Sequence, residues 1–597
     1  MSSLEEPLFG VRQSLGGRSW RLKSADDASV QAICRATGTS DALSRLMAAR
    51  GLTAEDAPAF LAPKLRDSFP DPSTLKGMDA AAHRIWDALE AGDRIALFAD
   101  YDVDGATSAA QLGGWLRALG AEPIIYVPDR IEEGYGPNAP ALKHLKDQGA
   151  RLVITLDCGA ASVGPLTAAH EMGLPVVVID HHLMDGEIPP ADALVNPNQP
   201  GDVSGCGHLA AAGVTFVLLA ALNREGRKRG AFQNRAEPNV LDFADLAALG
   251  TICDVVSLTG VNRAIVAQGL KVMSHWSRPG MAALAAAAGV QGPASPYHAG
   301  FLLGPRINAG GRVGQSDLGA RLMMTQDPAE AAHIAQTLDA LNAERRAIET
   351  DVLDQAQAQV EALRLEDDTP ILVASGEHWH PGVIGIVAGR IKERFNRPAI
   401  VIGIDPETGL GKGSGRSCTG VNLGGAVAAA REDGLLVAGG GHAMACGLTV
   451  DASRIEELAE YLTARLREEW VAADEARTYF VDAVVSPSAV SFEFCEALSA
   501  AEPYGMGNPE PRFAFSSLRR TYAQRVGTDH VRFTFESPGG GRLTGISFRS
   551  ADQPLGQALL NGGDGLWHVA GKLRAEDNRY GRKAELHLED LAKADGS

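Results

Sequence analysis

Asp102 and Asp104 stand two apart just after a short apolar run, and Asp157, His181 and Asp254 follow at the ends of later segments. Carboxylates joined by an imidazole suit Mn2+ or Mg2+ better than a thiolate-preferring ion. Two such ions about 3.5 to 4 Å apart need at least one bridging ligand, and they serve in-line phosphoryl chemistry by activating water and stabilising the departing oxygen. A single aspartate after a strand most often caps a turn or helix. The triplet Asp180-His181-His182 at a third strand end makes the set a candidate metal centre rather than a collection of caps. Cys158 and Cys253 adjoin these residues, and packing is the plainer reading of both.

Such residues need elements to carry them. Met78 to Ala91 has amphipathic helical spacing closed by Gly92, and Ile95 to Ala99 reads as a buried strand. A helix is expected from Ala106 to Leu119, its N-terminal donors suited to phosphate, with Gly105 permitting close approach at its start. The rhythm continues with strand Ile124 to Val127, helix Ala139 to Gln148, strand Leu152 to Leu156, helix Val163 to Met172 and strand Val176 to Ile179. This alternation predicts a parallel sheet covered on both faces, with the acids and histidines at the carboxyl ends of its strands. Asp254 follows a segment that reads as a helix end meeting a turn.

Residues 208 to 325 read as mostly helical. From Pro328 to Leu365, positions including Ile334, Leu338, Leu341, Arg345, Ile348, Val352 and Val360 recur three or four apart. A helix of that length would be a rod of about 57 Å, either a strut between domains or a long surface helix of one. Strands Ile371 to Ala374 and Ala399 to Ile404 and helices Ile384 to Phe395 and Ile455 to Trp470 imply a second α/β domain. Val531 to Glu536, Leu543 to Phe548, Trp567 to Leu573 and Ala584 to Leu588 suggest a small β-barrel. The expected α/β organisation is an N-terminal helical extension over 1–75, a parallel-sheet domain over 76–327, a long connecting helix over 328–368, a smaller α/β domain over 369–475 and a barrel over 476–597.

A chain of 597 residues exceeds one ordinary core, and 45% hydrophobic with 22% charged residues describes a folded protein. No secretory signal is read between Met1 and Trp20, and Asp242 and Asp245 interrupt the apolar run Val240 to Ile252. No membrane span is therefore expected, and the cytoplasm is the expected location. The seven cysteines lack the paired spacing of a zinc knuckle. A net charge of -19 sums the whole surface, so it does not exclude a local groove for nucleic acid.

Three regions are candidates to hold phosphate. Gly411 to Ser417 lacks P-loop spacing, yet its glycines would let backbone donors curl around an anion, with Lys412, Ser414 and Arg416 beside them and His442 in another glycine-rich turn. Arg306 and Arg312, flanking a Gly- and Asn-rich loop with Asn308, would bind a terminal phosphate or its neighbour, or else salt-bridge the acidic site. The barrel segment has a basic excess including Arg532, Lys572, Arg574 and Arg579, interleaved with Tyr522, Phe533, Phe535 and Tyr580. Aromatic platforms with positive charge grip single strands, although Phe533 and Phe535 share a strand face and suit a core.

The run Asp100-Tyr101-Asp102-Val103-Asp104-Gly105-Ala106-Thr107-Ser108, with Asp157, Asp180-His181-His182 and Gly250-Thr251-Ile252-Cys253-Asp254-Val255-Val256, resembles the four motifs of the DHH phosphoesterase superfamily, most nearly the RecJ exonucleases. The resemblance continues in order through Gly304 to Arg312, His380 to Ala388, Gly411 to Ser417, Gly439 to His442 and Glu502 to Pro511, covering the chain from about Leu46 onward. It implies an exonuclease that degrades single-stranded DNA from the 5′ end to 5′-mononucleotides with two Mn2+ or Mg2+ ions, in recombination and repair. Asp102, Asp104, Asp157, His181 and Asp254 match its metal-ligand positions, His182 matches a residue supporting the site and scissile phosphate, and Asp100 is a further acidic candidate. The parallel-sheet domain would be a DHH domain, the smaller α/β domain DHHA1 and the barrel an OB-fold. The implied partners are single-stranded DNA, single-strand-binding protein and a helicase, with a monomer as the expected assembly. Two positions depart from the pattern: Cys253 replaces a common alanine, and Gly415 the usual Ala or Ser. A DHH-family oligoribonuclease or small-nucleotide phosphatase is the enzymatic alternative, which the barrel and added length disfavour. A non-catalytic replication scaffold on the same fold is disfavoured because every acidic position is filled.

Overall fold

A computed structural model describes residues 6–184, 186–363, 369–475, 477–563, 565–578 and 581–594. Two units emerge, Leu65–Glu475 and the pair of segments Met1–Lys64 with Ala476–Ser597. No helix among the described residues is long and apolar enough to cross a membrane.

In the first unit, strands Ile124–Tyr126, Ile95–Ala99, Leu152–Leu156, Val176–Ile179 and Ala193–Val195 lie in that spatial order in a wholly parallel sheet. Ile95–Ala99, Leu152–Leu156 and Val176–Ile179 are buried along their length because helices cover both faces. Chain order reverses between the neighbours Ile95–Ala99 and Leu152–Leu156, opening a crevice at their carboxyl ends. Asp100 to Asp104 and Asp157 leave the sheet there.

Helix Met78–Ala91 has the expected bounds and ends at Gly92 with φ 70°. The next helix spans Val103–Ala118 and starts before Ala106 because Asp102 caps it, its Oδ1 accepting from Asp104 N at 2.8 Å and Gly105 N at 3.1 Å. Asp104 consequently belongs to the first helical turn, not to a turning loop. The segment between Arg306 and Arg312, expected as a loop, lies within helix Gly304–Val313. Gly311 serves close packing there: a Cβ on it would lie 3.0 Å from the Tyr101 carbonyl oxygen.

The long helix runs Pro328–Ala362, about 52 Å, with Asp327 accepting from Ala329 N at its start. The expected end at Leu365 lies outside the described residues. One stripe of this helix serves two cores. Ala331, Ile334, Ala335 and Leu338 join the core of the parallel sheet, whereas Val352, Ala356 and Val360 join a core with Leu372, Val383 and Ile391. Between these stretches Arg345 Nη1 donates to Glu349 at 2.5 Å.

Beyond it stands a mixed sheet in the order Ala438–His442, Ala445–Asp451, Leu410–Arg416, Ala399–Asp405, Leu372–Glu377. Here the glycine-rich readings need correction. Residues 410–416 form a central strand whose antiparallel ladders run on both sides, so its backbone donors do not curl around an anion. Gly411, Gly413 and Gly415 turn toward the core, while Lys412, Ser414 and Arg416 alternate to the other face. Gly439 to His442 likewise forms strand rather than turn.

In the second unit, Arg512–Val526, His530–Glu536, Arg542–Ser547, Gly581–Lys593 and Leu566–Asn578 close into a ring, completed by pairing of Arg512–Val526 with Leu566–Asn578. Phe533 and Phe535 are fully buried inside it. The N-terminal segment is not wholly helical, since Ser19–Leu22 pairs in parallel with Thr478–Val481.

Gly415 explains one departure from the resemblance. A Cβ there would lie 2.4 Å from Cys446 Sγ and 2.8 Å from Leu423 Cδ2. Gly415→Ala is expected to destabilise the protein by about 1–3 kcal/mol, and Cys446→Ala in the same chain to recover part of that loss, both read by denaturant titration.

Candidate metal centre and anion cavity

Four elements converge in the crevice. Asp102 caps the helix that Asp104 enters, Asp157 follows the third strand in chain order, His181 follows the fourth, and Asp254 caps the C-terminus of helix Ala244–Cys253. His181 Nε2 lies 3.3 Å from Asp157 Oδ1, 3.6 Å from Asp254 Oδ2 and 3.9 Å from Asp104 Oδ2. Asp104 is held at both oxygens by Ala211 N at 2.7 Å and Ala212 N at 2.8 Å, at the start of helix Ala211–Lys228. A Cβ on Gly250 would fall 2.7 Å from Asp104 Oδ1, so glycine is what lets the Asp254 helix approach. Asp157 adopts φ 62°, a left-handed conformation uncommon outside glycine.

Buried polar atoms normally find partners. Asp100 Oδ1, Asp157 Oδ1, His181 Nε2 and Asp254 Oδ2 are all buried without a hydrogen-bond partner. Ligand atoms within 4.8 Å of one another group as Asp104–His181–Asp254, Asp157–His181–His182 and Asp100–Asp102–Asp157, with Asp157 shared by the last two. Burial and neighbouring carboxylates push Asp100 up to about 8, and burial with Asp102 pushes Asp254 up to about 7. Asp104 and Asp157 are driven well above the carboxylate range, first by burial and then by the surrounding acids. Burial and the nearby His182 lower His181 to about 4, which keeps a nitrogen lone pair available. Such a donor set fits hard divalent cations, whose charge would hold these carboxyls ionised.

Asp180 and His182 play different parts. Asp180 Oδ1 accepts from His181 N at 2.7 Å, lies 2.7 Å from His182 Nδ1, and its Oδ2 accepts from Ala160 N at 2.9 Å. Its oxygens are thus committed to shaping the turn. Burial opposes a charged His182, but the bond to Asp180 and that carboxylate's charge outweigh it and raise the imidazole pKa. Asn198 Nδ2 donates to the His181 carbonyl at 2.6 Å, and Asn196 Nδ2 to that of His182 at 2.8 Å.

Beside this centre is a cavity of about 640 Å³, lined by Arg130, Arg312, Arg390, Lys412, Ser414 and Arg416, with Glu393 as a lining carboxylate. Arg312 donates to the Gly382 carbonyl at 2.8 Å. Burial and the cationic neighbours Arg130, Arg345 and Arg416 lower it to about 10, an environment that favours an anion. Arg130 stacks 4.9 Å over the Tyr101 ring, so Tyr101, between Asp100 and Asp102, connects cavity and acidic cluster.

Residues 94–251 match the DHH family, N-terminal domain, residues 368–468 the DHHA1 domain and residues 481–590 the RecJ OB domain. The chain is 34% identical over 577 residues to the single-stranded-DNA-specific exonuclease RecJ of Bacillus subtilis (strain 168), covering 96% of this chain and 70% of that protein. The chain belongs to the RecJ family. The crystal structure of RecJ in complex with Mn2+ from Thermus thermophilus matches with a TM-score of 0.78 at 29% identity, covering 96% of this chain and 79% of that one. The Mg2+ complex of RecJ from the same organism matches with a TM-score of 0.74 at 28% identity, over 96% and 78% of the two chains.

Within this RecJ-family fold, the remaining candidates part ways. Arg306 neither reaches the acids nor lines the cavity: Nε pairs with Asp339 of the long helix at 2.9 Å and Nη1 donates to Leu302 O at 2.8 Å. Asn308 holds a buried side-chain oxygen without a partner. His442 is exposed at its strand end, opposite Ala445. In the barrel, Lys572 pairs with Glu589 at 2.9 Å and Arg574 with Glu510 at 2.8 Å, which reduces the basic excess, while Arg532 is exposed. Arg579 and Tyr580 lie outside the described residues.

Sequence reasoning missed Arg130, Tyr135 and Arg390. Arg130 and Tyr135 occupy the loop after strand Ile124–Tyr126, and the rule that sheets carry ligands at strand ends points to that loop as well. Arg390 had no comparable signal within its helix.

The clustered guanidinium groups make a measurable prediction. Inorganic phosphate at 10 mM is expected to raise the denaturation midpoint by about 2–4 °C in the wild type and by less than about 1 °C in Arg416→Ala, read by differential scanning calorimetry.

Proposed function

We propose that this chain is a single-stranded-DNA-specific exonuclease, a metal-dependent DHH-family nuclease that hydrolyses phosphodiester bonds from the 5′ end and releases 5′-mononucleotides during recombination and repair. The observation that carries this reading is the convergence of unpartnered Asp157, His181 and Asp254 atoms in a crevice beside an arginine-lined cavity. Asp104, His181 and Asp254 would hold one divalent ion and Asp100, Asp102 and Asp157 a second, and Asp157 Oδ1 lies 3.3 Å from His181 Nε2. Bound Mn2+ or Mg2+ supplies activation of water and stabilisation of charge on the departing oxygen.

The chain's own groups perform the remaining tasks. Asp180 engages Nδ1 of His182 and fixes the ring beside Asp157, where it would support the scissile phosphate. Arg130, Arg312 and Arg416, with Lys412 and Ser414, would receive a terminal phosphate through guanidinium forks and a hydroxyl. End recognition next to the cleavage centre gives the reaction its direction. Arg306 acts as a brace through Asp339, and exposed Arg532 offers the barrel's contribution to holding the strand. The motif resemblance further supports work in the cytoplasm, as a monomer, on strands supplied by a helicase and single-strand-binding protein.

Manganese-supported digestion of end-labelled DNA tests the reading. A 5′ label should leave first as a mononucleotide, a 3′-labelled strand should shorten stepwise, duplex should resist, and EDTA should stop the reaction. Initial release of the 3′ label would reverse the assigned direction.

Asp157→Ala is expected to lower cleavage by roughly 10³-fold while leaving binding of single-stranded DNA within about threefold, measured by single turnover and fluorescence anisotropy. Turnover at the wild-type rate would refute the ligand assignment.

A further inference from the structure

The loop from Val127 to Asn138 is stapled by its own side chains. Asp129 Oδ1 accepts from Ile131 N at 2.8 Å and Glu132 N at 2.9 Å, while Glu133 accepts from Asp129 N at 2.8 Å and from the Tyr126 hydroxyl at 2.7 Å. Gly134 and Gly136, at φ 83° and 78°, bracket Tyr135. The tyrosine is 51% exposed, so burial of its ring gives little reason for its presence. Its hydroxyl nevertheless reaches inward.

That hydroxyl donates to the Asp157 carbonyl at 2.9 Å and faces the His182 ring edge, 3.1 Å from Nδ1 and 3.4 Å from Nε2. The same imidazole nitrogen lies 2.7 Å from Asp180 Oδ1, and the Tyr135 and His182 rings meet edgewise at 5.5 Å. A hydroxyl whose hydrogen goes to Asp157 has its lone pairs left for the Nδ1 hydrogen, which it shares with Asp180. One oxygen therefore touches the backbone of an aspartate in a left-handed conformation and the ring of the adjacent histidine.

We propose that Tyr135 is a positioning residue for cleavage, its hydroxyl fixing the Asp157 backbone and the His182 imidazole in a single arrangement. The proposal rests on the exonuclease reading of this site. Tyr135 acts through its two neighbours, and substrate binding is left to the arginine cavity. Removing the hydroxyl should consequently slow turnover more than it weakens affinity.

Tyr135→Phe tests this in the full-length protein with Mn2+ and 5′-phosphorylated single-stranded DNA. The expected result is a kcat about tenfold lower, KM within about twofold of wild type, and a thermal midpoint within about 2 °C. Tyr126→Phe supplies the control, since it loses a hydroxyl bond within the same loop without touching Asp157 or His182; its kcat should stay within about twofold. A wild-type kcat in Tyr135→Phe overturns the proposal, as does an equal fall of kcat and midpoint in both variants, which would mean the loop is only structural. Failure of the wild type itself to digest single-stranded DNA removes the exonuclease reading and the proposal together.

Discussion

Several carboxylates share one buried crevice, and their mutual repulsion is the constraint on which the surrounding structure depends. Asp100, Asp104, Asp157 and Asp254 all have raised pKa values from burial and from one another. Their positions are nevertheless secured from outside the cluster. Asp104 is held by two backbone donors of a neighbouring helix, Asp157 sits in an uncommon backbone conformation, and Gly250 admits the helix that carries Asp254. The scaffold thereby keeps acids together that would separate in water, as an arrangement organised around divalent cations requires.

The cavity shows the same principle with opposite charge. Burial, and then the cationic neighbours Arg130, Arg345 and Arg416, depress the pKa of Arg312. An acidic crevice and a basic cavity adjoin through Tyr101 and belong to parts of the fold joined by the long helix. That helix contributes one apolar stretch to each of two cores. Its Asp339 also receives Arg306, a residue whose sequence context suggested a phosphate contact.

Much of this architecture was legible in short apolar runs. Strands Ile95–Ala99, Leu152–Leu156 and Val176–Ile179 were readable because burial on both faces makes them uniformly apolar, and the candidate ligands stand at their ends. Glycine was harder to interpret, since it serves both to free a backbone torsion and to remove bulk. In 410–416 and between Arg306 and Arg312 the second use prevails, and loops expected from composition are a strand and part of a helix. Arg512–Val526 escaped notice because irregular pairing near Phe515 and Arg520 resets the alternation of its side chains. Ala193–Val195 is too short to show any period. Arg130 and Tyr135 acquire meaning only through neighbours distant in sequence.

The stapled loop has a consequence for how progress along a strand is measured. Arg130 lines the cavity and Tyr135 touches Asp157 and His182, yet they occupy one short, internally bonded segment. Were a chain end seated at the first and a bond broken beside the neighbours of the second, the separation between end and cut would be set by the folded loop. Base identity does not enter into it. The loop would act as a built-in ruler, making the increment of each bite independent of the text being consumed.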